Sequence, residues 1–179
     1  MKTERLHVII AVVLIAAGVG LRLLPHPANF APIAAIAIFG GAVLPRKMAV
    51  WVPLGAMMAS DLFLGLHDTI LATWGCYALI ALASSYWLRK PNLLRGVAMT
   101  LGSSVLFFVI TNFAVWVVSG MYAHTWAGLT QCYYMALPFF RGTVTSDVIY
   151  TAVLFGAYAL ASLGVRHFAG TKRQGLLQG

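Results

Sequence analysis

His7-Val-Ile-Ile-Ala-Val-Val-Leu-Ile-Ala-Ala-Gly-Val-Gly-Leu-Arg-Leu-Leu-Pro-His-Pro27 is an apolar run closed by a Pro-His-Pro break. From His7 to Leu24 it is long enough to cross a hydrocarbon core ~30 Å thick as one helix, for which ~17 to 25 apolar residues are needed. Lys2 and Arg5 precede it, as they would precede a secretory signal. Arg22 and two prolines then stand where a small-residue cleavage site would be, and further apolar runs follow. The run therefore reads as the first of a series of membrane helices.

The rest of the chain extends the series, with apolar segments over 31–44, 48–66, 69–88, 97–121 and 144–164. The expected fold is an all-α integral membrane protein: one domain of six transmembrane helices over 1–169 and a polar, disordered tail over 170–179. The second segment is short and flanked by proline, so a tilted or only partly spanning helix is expected there. Met121 to Thr143, rich in Tyr, Trp and His, reads as an ordered loop or interfacial helix. Of 179 residues, 61% are hydrophobic and 9% charged, with mean hydropathy +0.87, which excludes an ordinary soluble domain.

The net charge of +8 does not imply nucleic acid, because the basic residues fall in clusters between apolar runs. With the N-terminus inside, Lys2, Arg5, Arg46, Lys47, Arg89, Lys90, Arg95, Arg166, Lys172 and Arg173 collect on the inner side. Only Arg22 and Arg141 remain outside. Miscounting one span would scramble that split, so it supports an N-in, C-in topology, including the short second span. His26, Asn29, His67, Asp68, His124 and Arg141 then fall in outer loops, with Asp61 and Asp147 near the outer ends of their helices.

The outer face thus holds most candidate chemistry. Asp61 and Asp147 need partners at that depth; each caps a helix, pairs with Arg22 or Arg141, contacts a ligand or serves a proton relay. Cys76 lies about seven residues into the fourth helix, roughly 10 Å below the outer surface. In Thr73-Trp-Gly-Cys-Tyr77 a small residue between aromatics would let a flat ligand approach and stack. The Cys76 thiol is either a soft metal ligand or a small buried hydrophobe; Cys132 reads as the latter. The outer histidines lack HxxxH spacing, and the cysteines lack any CxxC spacing. Trp116, Tyr122, Trp126, Tyr133 and Tyr134 form either an interfacial belt or a stacking surface. GxxxxGK[ST], GxSxG and HExxH patterns are absent, which argues against ATP hydrolysis by the chain and against conventional intramembrane hydrolysis.

Arg22-Leu-Leu-Pro-His-Pro-Ala-Asn-Phe-Ala-Pro-Ile-Ala-Ala35, Phe39-Gly-Gly-Ala42, Ser60-Asp-Leu62 and Trp74-Gly-Cys-Tyr77 resemble the substrate-binding S components of energy-coupling-factor vitamin transporters. More narrowly they resemble the BtuM group, solitary S components for cobalamin (vitamin B12). The resemblance implies an S-component-like bundle in the bacterial cytoplasmic (inner) membrane that captures cobalamin from the outer side. It has no cofactor of its own, and cobalamin is the bound substrate. It also implies that Cys76 is the lower axial ligand of the cobalt. A thiolate there would labilise the upper ligand and assist removal of cyanide from cyanocobalamin. Asn29, His67, Asp68, Tyr77, Tyr133 and Tyr134 are placed by location as contacts to the corrin side groups.

The implied partners are cobalamin, the lipid bilayer and an energy-coupling module of a membrane subunit with ATPases. The AxxxA docking pattern of shared-module S components is replaced here by Ala16-xxx-Gly20. The rival readings are an S component for another vitamin with an inert Cys76, a membrane redox protein holding haem or quinone, and a scaffold subunit. Paired histidines on facing helices, which haem would need, are absent from the sequence pattern.

Overall fold

The computed structural model describes residues 2–89 and 92–175, with side chains over 4–89 and 92–164. Among the described residues the chain is helical and has no strand. Its elements are α1 (Lys2–Leu23), α2 (Ile33–Val43), α3 (Arg46–Leu64), α4 (Ile70–Trp87), α5 (Leu93–Val118) and α6 (Trp126–Gly175). Proline sets several of the breaks. It cannot continue a helix but suits an entry, and Pro25 and Pro27 follow α1 while Pro32 and Pro45 precede α2 and α3. At α5 the Asn92 side chain accepts the Arg95 backbone N–H at 2.8 Å, a side-chain N-cap.

Five of these helices are long and apolar enough to cross a membrane. α2 is not: its 11 residues rise about 16 Å, half of a ~30 Å core. The short second segment is accordingly a central plug, with every residue from Ile33 to Gly41 buried by its neighbours. Close approach makes this possible. A Cβ on Gly41 would come within 2.5 Å of the Ser84 Cβ and 2.7 Å of the Ala81 carbonyl oxygen, so only glycine lets α2 and α4 meet there.

α6 corrects the expectation of a separate connection. Residues 126–143 belong to the same unbroken helix as the last apolar segment, with Pro138 inside it. The side-chain-described part, Trp126–Gly164, rises about 58 Å over 39 residues, nearly twice the thickness of the hydrocarbon core. α5 and α6 form an antiparallel hairpin, tied by Cys132 Sγ donating to Asn112 O (3.4 Å) and Tyr133 Oη to Val109 O (2.8 Å). Loops 24–32, 65–69 and 119–125 therefore share one end of the bundle. The tail expected over 170–179 is helical to Gly175, and its last four positions, 176–179, lie outside the described residues.

Candidate functional site

At that end a cavity of about 440 Å³ opens between all six helices, α2 through Ile33 and Ala34, and the two loops 24–32 and 65–69. Its size is within the ~300–1,000 Å³ of small-molecule sites. The Pro-rich loop 24–32 forms its cover against α6. The Ser146 hydroxyl donates to Asn29 O at 3.3 Å, and Phe30 meets Tyr150 edge-on at 5.7 Å. Asn29 turns the loop with φ 57°, a conformation asparagine tolerates better than most residues. Gly142 gives the loop room, since a Cβ there would lie 2.9 Å from the Ala28 carbonyl oxygen.

Two buried polar centres adjoin the cavity. In the first, Asp61 accepts from Arg22 Nη1 through Oδ1 and from Trp74 Nε1 through Oδ2, both at 2.8 Å. Arg22 Nη1 also donates to Ser60 Oγ at 2.5 Å. This ion pair joins the ends of α1 and α3, and Arg22 reaches the cavity wall. The pairing with Arg22 is one of the roles open to Asp61 from sequence.

The second centre departs from expectation. Asp147 does not lie near a helix end and does not pair with Arg141; it stands 21 residues after the start of α6, 2% exposed, with Ser104 Oγ donating to its Oδ2 at 2.6 Å. Among the described residues it has no ion-pair partner. It borders the cavity.

Of the residues expected at the site, Asn29, His67 and Tyr77 come together on the cavity wall. Asp68 is exposed and outside it. Tyr133 is committed to Val109 O and packs on Phe108 (5.6 Å), and Tyr134 is 68% exposed away from the cavity. Cys76 is 1% exposed, part of the apolar core, and does not border the cavity, although Thr73 and Tyr77 on either side of it do. The cavity wall beside it includes Tyr77, whose ring stacks on Phe107 at 5.1 Å. The histidines do not converge: among the described residues no group of three or more His, Cys, Asp or Glu is placed to hold a metal. His26 Nδ1 contacts Pro27 O, His67 Nδ1 contacts Thr69 Oγ1, and His124 Nε2 contacts Trp116 O.

Sequence reading passed over the α5 wall, which includes Phe107, Thr111 and Asn112. The signal was present, since Thr111-Asn112 is a polar pair inside an apolar run, and polar groups at membrane depth mark functional sites.

The coarse likeness to a multi-pass membrane protein stands on five apolar helices. No curated protein and no solved structure matches the chain. A family profile does match, over residues 2–169, and by that near-complete coverage the chain belongs to the family of unknown function DUF6580.

Proposed function

We propose that this protein captures a small organic solute from the outer side of a bacterial inner membrane for uptake, as S components do. The cavity carries the reading: a cofactor-sized hollow at one end of an apolar bundle, lined by residues of six helices and two loops, aromatic and polar side chains among them. The basic clusters support a cytoplasmic location for the opposite end. An energising partner has a surface to use on α1, where Ala16 and Gly20 are exposed and nothing lies within 4 Å of a Cβ built on Gly20.

The solute we propose is cobalamin or a related corrinoid, with Cys76 donating its thiolate to cobalt, on the strength of the motifs from Arg22 to Tyr77. The macrocycle exceeds the cavity, so most of it would rest in the mouth between the loops and the outer turns of α5 and α6. Ligation also requires the Tyr77–Phe107 wall to open toward Cys76.

The test is the visible spectrum of protein purified after growth with cobalamin. Bound corrinoid colours the protein, and Cys76→Ala shifts the cobalt bands while Cys132→Ala leaves them in place. A protein that stays colourless after incubation with cobalamin sinks the corrinoid reading. A spectrum indifferent to Cys76→Ala removes the thiolate alone. Restored cobalamin-dependent growth in an uptake-deficient strain tests transport.

A further inference from the structure

The titratable groups around the cavity are not all paired. Arg22 is spoken for by Asp61, and Trp74 and Ser60 complete that centre. His26 and His67 sit exposed at the mouth, each with a contact of its own. Asp147 is left as the innermost of the α6 residues that line the cavity, which run from Ala136 through Phe139 and Thr143. It is 2% exposed, has Ser104 on one oxygen, and has no ion-pair partner among the described residues. A buried carboxylate at membrane depth is costly until a counter-charge reaches it.

The walls beside it suit such a counter-charge. Tyr77 and Phe107 stack at 5.1 Å and 29°, and Phe108 and Phe139 also border the space. Aromatic faces attract ammonium groups, most strongly where water is excluded.

We infer that the cavity selects solutes carrying a compact organic cation, an ammonium group, which Asp147 holds between the aromatic walls. The inference rests on the capture of a small solute at this cavity and not on the corrinoid, whose amide side chains and phosphate include no ammonium group. Neither cavity nor carboxyl would suffice alone: the hollow supplies room, and a carboxyl group with no cation beside it among the described residues supplies the preference, ionising as the ammonium group arrives.

The test compares two probes of equal shape, 2-phenylethylammonium and 2-phenylethanol, binding to the detergent-solubilised full chain by calorimetric titration. The ammonium should bind saturably and roughly tenfold or more tightly than the alcohol, the gain expected of a charge-assisted contact. Asp147→Asn should abolish that preference, and Asp68→Asn, a carboxylate outside the cavity, should retain it. Equal affinities on the unmodified chain, no saturable ammonium binding, or a preference that survives Asp147→Asn would each overturn the inference. The first two outcomes do not depend on the variant folding. Cobalamin binding without ammonium preference removes the cationic class and leaves capture standing. Ammonium preference without cobalamin binding keeps the cationic class and removes the corrinoid.

Discussion

The α2–α4 core and the α5–α6 hairpin bury their apolar surface very differently, and α1, 17% buried like α6, packs on the outside of that core. Over its most apolar 18 residues α5 exceeds α3 and α4 in hydropathy, yet buries 11% of that stretch where they bury 39%. Apolarity does not drive helices together in lipid, because the acyl chains are as apolar as leucine. What closes the first half is small side chains at contacts: Ala34, Ala35, Ala37, Ala49, Ala56 and Ala81 are all nearly fully buried. The hairpin is joined instead by polar contacts, Ser104 to Asp147 and Cys132 to Asn112. Both hollow spaces border it: the cavity, and at the opposite end an apolar groove of about 700 Å³ between α5, α6 and the end of α2. A tight half thus serves as scaffold for a loose hairpin that carries the space for a ligand.

The largest effect should come from breaking the polar tie within the tight half. Arg22→Met leaves Asp61 buried without its cation and should cost about 3–5 kcal/mol, read as a fall in the thermal midpoint in detergent. Adding Asp61→Leu should recover much of the loss. A single variant no worse than the double would show that the pair does not hold α1 to α3.

Glycine substitution contrasts the halves directly. Gly41→Leu drives a side chain into Ala81 and Ser84 and should cost at least about 1–3 kcal/mol, whereas Gly102→Leu on α5, which meets nothing within 4 Å, should stay within about 0.5 kcal/mol. Equal melting shifts would contradict the contrast.

Thiol labelling probes the boundary between the halves. Cys76 and Cys132 are both buried and should react slowly with maleimide. Tyr77→Ala removes the wall against Phe107 and should speed Cys76 while leaving Cys132 slow, as followed by mass spectrometry. Rapid Cys76 labelling in the unmodified chain would mean that the wall is already open.

The smallest effect belongs to the groove. Among the described residues Thr151 keeps a buried hydroxyl without a hydrogen-bond partner. Thr151→Val should be neutral or stabilising by up to about 1 kcal/mol, measurable as a small rise in the same midpoint. A clear destabilisation would mean that the hydroxyl has a use in the loose half.

Much of this architecture is legible along the chain. Run length and proline breaks mark the helices from His7 to Leu24 onward, because the bilayer demands long apolar segments and proline removes a helical donor. The short reach of α2 is visible from its flanking prolines, and the burial of Gly41 is not, since no local pattern says which helix faces which. The same limit governs the site. Asn29, His67 and Tyr77 were recognisable as residues of one end, and two loops and α4 had to meet before they shared a wall.

Sequence by itself determined the membrane class, the clustering of basic residues between apolar runs and the end of the bundle where polar groups gather, because length, proline and charge act locally along one chain. Tertiary structure alone decided that α6 runs unbroken past the expected loop, that Cys76 is buried in the core and does not border the cavity, and that Asp147 borders a cavity with no ion-pair partner among the described residues. Those facts depend on distances between residues far apart in sequence, such as the 43 positions from Ser104 to Asp147, and packing sets them.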